Sequence, residues 1–349
     1  MPLLTSFFER LVFLKWSKAP GPILDLFGAT AYKAVSVAVK LGVFRALSDG
    51  PLGSGEIAHS IPGDKRMLTA LLDTLVTLGY VNKEDGKYSN TKMTAKWLEP
   101  KSPSSLEGMF GFFDDMLRRW DYLDTTIRQG KPPLLAGEWV DQHPGAWDRY
   151  HGGMRAVASL CLDEVISRVK IPSNARNLID IGGSHGLYSC GFCRRYPQLS
   201  ATVFDTDEAR VMAEETISEQ GMKDRVSFNS GDFMADDLGS GYDVALLFSV
   251  IRIFPAERVV ELFLKIAQAI ETGGQIIIMD HLTTRASSPL TQANIHLIHL
   301  ELLNSTEGQI HTESEVARML AAAGFDDVRV IRMRRAPGLV IVSAQKNAQ

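Results

Sequence analysis

Asp180-Ile181-Gly182-Gly183-Ser184-His185-Gly186 closes an apolar run, Asn177–Ile181, and leads into a helical one, Leu187–Arg195. A buried strand that ends in closely spaced glycines and then turns into a helix is one βα unit, built so that backbone can approach a ligand at the helix N-terminus. The alternation continues outward from it. Strands are expected at 200–204, 226–229, Tyr242–Phe248 and 275–280, and helices at 207–219 and 256–270. A helix at 312–323 and strands at 327–333 and 338–344 follow, the last two close enough to form an antiparallel hairpin. Repeated βα units imply an α/β fold with a doubly wound parallel sheet, whose ligand crevice lies at the carboxyl ends of the strands.

The first half has a different texture. Residues 1 to about 170 read as helices, beginning with an apolar stretch at 23–47 that must stop near Gly50-Pro51. A short helix opens at Ser54, and residues 65–78 form a second with Met67, Leu68, Leu71, Leu72, Leu75 and Val76 inward. Residues 80–88 then read as a hairpin turning on Asp85-Gly86. Helix, turn, helix and a two-stranded wing make a winged-helix arrangement. Its second helix carries only Lys65 and Arg66 at its start, and the chain has a net charge of −4, so packing or dimerisation is expected rather than nucleic-acid binding.

With 349 residues, 45% hydrophobic and 22% charged, the chain has room for more than one core. The divisions expected are 1–105, 106–170 and 171–349. The apolar stretch at 3–14 is broken by Glu9 and Arg10, lacks the order of a signal peptide, and no run reaches the roughly 20 apolar residues of a membrane span. Cys161, Cys190 and Cys193 cannot all pair, and nothing nearby completes a metal site. A cytoplasmic protein without membrane insertion or bound metal is expected.

Acidic residues recur at successive strand ends. Asp180 closes the first strand, Asp205 falls in the window about 20 residues on where a carboxylate reaches ribose hydroxyls, and Asp232 follows the third beside Phe233 and Met234. A carboxylate next to apolar side chains suits an adenine ring. The spacing Gly182-x-x-x-Gly186 lacks the G-x-G-x-x-G form that admits a pyrophosphate, which favours S-adenosylmethionine over a dinucleotide.

These motifs resemble those of the plant-type small-molecule O-methyltransferases, the family of the caffeic acid and acetylserotonin enzymes. Residues 180–186 are similar to its "DVGGGxG", Phe204-Asp205 to "vFDLP", and residues 231–233 to "GDMF". Residues 273–280 resemble its "GGkvlivE/D", and residues 312–315 with 323–325 its "RTexEw…AGF". The resemblance spans nearly the whole chain. It implies a helical winged-helix dimerisation domain, hence a homodimer, ahead of a Rossmann-like domain that binds S-adenosylmethionine through Asp180, Gly182, Gly183, Gly186, Asp205, Asp232 and Phe233 and methylates a small aromatic or polyketide-like acceptor. Ser184 stands where the family has a glycine, unfavourable wherever that position needs positive φ.

The reaction itself is where the sequence departs. Family enzymes take the acceptor proton with a histidine in "vLHDW", flanked by two acidic residues. Here that position is Arg252, already protonated near neutrality and so unable to take a proton. One acidic partner survives as Asp280, and the other is Ile310, followed by His311. Three explanations fit: an acceptor that is already nucleophilic (oxygen, nitrogen or carbon), as for relatives that methylate phenazine nitrogen or bacteriochlorophyllide carbon; a different base; or a protein that binds the cofactor without transferring methyl. A substitute base could come from the helix at 289–303, which in the family lines the acceptor pocket. It carries His296 as a candidate base or substrate ligand, with His299 and Glu301 as further acceptor-site candidates; a polar face packed on the rest of the protein is the alternative. Arg252 could grip an acidic acceptor or pair with Asp280. Tyr150, His151 and Met154 resemble the family's "FNxxM", which clamps the acceptor. His185 reads as a surface cap.

Overall fold

The computed structural model describes residues 21–61, 63–283 and 288–347. The apolar stretch at 3–14 lies outside them. The chain forms two compact units, one up to Asp114 and the other from Asp115.

In the first unit, helices Ile23–Lys40 and Val43–Ala46 are separated at Gly42, which adopts φ +75°. The continuous apolar stretch therefore folds as two helices. Helix Ser54–Ser60 precedes helix Lys65–Thr77, whose N-terminus is capped by the Asp64 carboxylate accepting from Met67 N–H at 2.9 Å. Leu68, Leu72 and Leu75 face the core, while Met67 is 62% exposed, one residue off the apolar stripe and so turned outward. Strands β2 (Val81–Glu84) and β3 (Lys87–Asn90) close on Asp85 and Gly86 at φ +48° and +75°, the two positive angles that a tight hairpin turn demands. A two-residue strand β1, Leu52–Gly53, adds to the far edge of β3. It is too short to show any periodicity. Val35, Phe44, Ile57, Leu72 and Tyr88 fill the core between these elements.

The second unit is built on a seven-stranded sheet. Its strands are β4 (Asn177–Ile181), β5 (Ser200–Asp205), β6 (Val226–Ser230), β7 (Tyr242–Phe248), β8 (Ile270–His281), β9 (Phe325–Arg332) and β10 (Leu339–Lys346). The spatial order is β6-β5-β4-β7-β8-β10-β9. Strands β6 to β8 run parallel, and β10 enters antiparallel between β8 and β9. The hairpin of the last two strands therefore forms as expected. It inserts its second strand next to β8.

Both faces of the sheet are covered, which is why its strands lack polar alternation. Leu178, Val203, Leu246 and Ile277 bury against one layer of helices, and Ile179, Ile181, Leu247 and Ile278 against the other. Each such side chain contributes about 2 kcal/mol by leaving water. The direction of winding reverses between β4 and β7, placing the crevice at the carboxyl ends of those two strands. No helix among the described residues is long and apolar enough to cross a membrane. Nor do they contain a cluster of His, Cys, Asp or Glu that could hold a metal.

Candidate functional site

The loop leaving β4 is shaped by contacts that admit no side chain. A Cβ on Gly182 would lie 2.7 Å from Val250 Cγ2 and 3.7 Å from the Phe233 ring, and one on Gly183 would lie 2.7 Å from Asp180 Cγ and 2.9 Å from Val203 Cγ1. Gly182, Ser184 and Gly186 all have positive φ. The serine thus occupies the conformation that disfavours it.

Asp205 ends β5 beside this loop. One carboxylate oxygen accepts from Ser184 N–H at 2.8 Å and the other from Thr206 N–H at 2.8 Å. Burial pushes its pKa up, and these two N–H groups pull it back. Each oxygen retains a lone pair for a ligand hydroxyl. Asp232 caps the turn after β6, accepting from Met234 N–H at 2.8 Å, and Phe233 packs edge-on against Phe254 at 6.1 Å. Carboxylates on two neighbouring strand ends, an apolar wall and a glycine-rich loop could hold S-adenosylmethionine: Asp205 at the ribose, Asp232 and Phe233 at the adenine, Gly182 to Gly186 at the remainder.

Asp180 behaves differently from its expected role at the ligand. It is 1% exposed, accepts from Ser189 Oγ–H at 2.7 Å, and burial raises its pKa to about 7. It supports the loop from beneath. His185 does cap the next helix, its Nδ1 accepting from Leu187 N–H at 3.0 Å, but at 5% exposure it is interior, not at the surface.

On the acceptor side, Arg252 sits in a 3₁₀ turn (Ile251–Ile253) just beyond β7. Its backbone N–H and its guanidinium donate to the two oxygens of Asp280, at 3.2 and 3.1 Å. Asp280 is fully buried at the end of β8, so the ion pair, not a free cation, is what the structure forms. Burial raises the Asp280 pKa, and the Arg252 charge opposes that rise. The same guanidinium nitrogen lies 3.2 Å from His281 Nδ1. A donor facing Nδ1 leaves the ring proton on Nε2, and burial beside the arginine pushes the His281 pKa down to about 3. His281 is therefore a neutral hydrogen-bond donor, and sequence reasoning passed over it although it directly follows Asp280. Tyr150 is near enough for Arg252, Asp205 and Asp280 to affect its ionisation, with burial raising its pKa first. Met154 lies one turn along the same helix, Ala146–Arg168, and is half-buried.

The helix Pro289–Ser305 starts with the Ser288 hydroxyl accepting from Thr291 N–H and with Pro289 in its first turn, both favourable helix openings. Its expected site residues stand in three different environments. The His296 side chain is exposed and makes no hydrogen bond among the described residues. His299 Nδ1 accepts from Ile310 N–H at 3.3 Å. Glu301 pairs with Arg119 at 3.1 Å and accepts from Trp120 Nε1–H, so it clamps the helix to its neighbours. The period-3.6 pattern that placed Ile295 and Leu302 in the core turns His296 outward. Ile310, at the second acidic position, is buried, and so is His311, which bonds the Ile251 carbonyl through Nε2.

Residues 128–326 match the O-methyltransferase domain, and residues 25–100 match the O-methyltransferase dimerisation domain. The chain belongs to the O-methyltransferase family. This O-methyltransferase is 27% identical over 309 residues to the 3-hydroxy-5-methyl-1-naphthoate 3-O-methyltransferase of Streptomyces sahachiroi, covering 86% of this chain and 87% of that one. It is 28% identical over 307 residues to the N,N-dimethyltransferase OxyT of Streptomyces rimosus, covering 82% and 88%. Its fold matches that of human N-acetylserotonin methyltransferase, solved in complex with SAM, with a TM-score of 0.81 at 24% identity over 100% of both chains.

Proposed function

We propose that this O-methyltransferase is a cytoplasmic homodimer that binds S-adenosylmethionine at the β4–β6 strand ends and methylates a small aromatic or polyketide-like acceptor without a general base. The cofactor supplies the methyl group; Asp205, Asp232, Phe233 and the Gly182–Gly186 loop hold it. One observation carries the base-free reading. The position where the family places its proton acceptor is a guanidinium paired with a buried carboxylate, and the imidazole bonded to it, His281, is a neutral donor. Neither takes a proton near neutrality.

What the chain's own residues can do is position. Tyr150 and Met154 wall the acceptor side, and His281 offers Nε2–H to an acceptor oxygen. A hydroxyl oxygen accepts such a bond whether or not it is ionised; one that has already lost its proton to solvent, as an acidic phenol has, attacks once aligned. The name of one relative gives a hydroxynaphthoate as its acceptor, and the dimethyltransferase activity of the other fits an amine that needs no base.

The test is calorimetric titration with S-adenosylhomocysteine, followed by incubation with S-adenosylmethionine and a series of hydroxynaphthoates. Binding of the product and its formation from the donor are expected. Absence of binding contradicts the cofactor site, and binding without turnover on any hydroxynaphthoate or aromatic amine favours a non-transferring protein.

A further inference from the structure

Ser184 holds φ +43° although it carries a Cβ, a conformation that costs free energy in any L-residue and is natural only to glycine. Its surroundings must hold it there. The Ser184 hydroxyl lies 2.7 Å from His151 Nδ1, with the serine 7% and the histidine 2% exposed. The imidazole is itself fixed, stacked on Trp147 at 5.6 Å with 18° between the rings and edge-on to Tyr150 at 5.3 Å. In this conformation the Ser184 N–H points at Asp205, donating to its carboxylate at 2.8 Å.

We propose that His151 is a positioning residue for the cofactor: by bonding the Ser184 hydroxyl it fixes the left-handed turn that orients Asp205. The proposal rests on the assignment of Asp205 to the ribose. It makes two sequence features one device. A glycine at 184 would take the turn unaided, whereas a serine needs a partner, and the helix Ala146–Arg168 supplies it from a position adjoining Tyr150. The latch also links the acceptor-side helix to the cofactor loop, because Tyr150, His151 and Met154 share one stretch of that helix.

The affinity of S-adenosylhomocysteine, measured by titration calorimetry, separates this role from ordinary packing. His151→Phe keeps the ring stacking and deletes the bond, and is expected to weaken binding about tenfold. His151→Asn, which retains a polar atom near the Nδ1 position, should restore affinity to within about threefold of the parent. In a Ser184→Gly background, His151→Phe should change affinity less than about twofold, because no latch is left to lose. Equal weakening in both backgrounds, or none in either, overturns the proposal. Thermal midpoints measured alongside show whether His151→Phe folds. If it does not, Ser184→Ala against Ser184→Gly reads the same device, since alanine keeps the strain without the bond. Alanine binding about tenfold more weakly than glycine is the expected result, and equal affinities overturn it. Failure of the parent protein to bind S-adenosylhomocysteine at all removes the cofactor assignment as well. Equal effects in the two backgrounds remove only the latch.

Discussion

Replacing Asp205 with alanine should weaken binding of S-adenosylhomocysteine at least about 100-fold. Two charge-assisted hydrogen bonds to ribose hydroxyls are at stake, each worth about 1.5–3 kcal/mol, and about 1.4 kcal/mol is a factor of ten in affinity. The carboxylate is pre-organised for the task. Ser184 N–H and Thr206 N–H each hold one of its oxygens at 2.8 Å, so little freedom is lost when a ligand arrives. Asp205→Asn, which keeps one acceptor oxygen, should fall between, at about tenfold. Calorimetric titration reads all three proteins. An alanine variant that binds within about threefold of the parent would take the ribose away from Asp205.

The second large effect concerns stability. Arg252→Ala leaves the fully buried Asp280 carboxylate without its ionic partner, and stranding a buried charge costs about 3–5 kcal/mol. The backbone N–H groups of Arg252 and His281 still donate to Asp280, which places the loss at the lower end of that range. Its pH dependence follows from the direction of the shift. Burial already raises the Asp280 pKa in the fold while Arg252 opposes it, so removing the arginine raises it further. A carboxylate with a folded pKa above its unfolded one destabilises as pH rises through that window, and the penalty vanishes below the unfolded value, about 4. Urea denaturation of the variant should therefore show a deficit at neutral pH that shrinks toward pH about 4. Asp280→Asn added to Arg252→Ala should recover most of it. A loss under about 1 kcal/mol at neutral pH, or no recovery in the double variant, would contradict the pairing.

How much of this was legible beforehand divides along one physical line. Signals confined to a few neighbouring residues read correctly. Asp85-Gly86 announced its turn, the Gly182–Gly186 stretch its strand-to-helix loop, and Asp205 its place about 20 residues further on. Apolar runs buried on both faces fixed β4, β7 and β8 as parallel strands. Signals that depend on residues far apart in the chain did not. The pairing of Glu301 with Arg119 joins positions 182 residues apart, and no periodicity reports it. The His151–Ser184 bond joins a helix to a loop in another element, so the sequence showed a misplaced serine without its remedy. Arg252 left two outcomes open, and the structure shows one of them, the ion pair with the buried Asp280. His281 was missed since a histidine after a strand end carries no marker. His296 was favoured because the family lines its acceptor pocket with this helix, and the core-facing stripe, Ile295 and Leu302, turns it outward.

Among the described residues beside Asp280, neither Arg252 nor His281 takes a proton near neutrality, and the pH–rate profile of methyl transfer measures that directly. Across hydroxynaphthoates of graded acidity, the rising limb of kcat/KM should move with the pKa of the acceptor hydroxyl. A limb that stays at one pH near 6 to 7 for every acceptor, roughly where a histidine titrates, would show that the enzyme supplies a base after all.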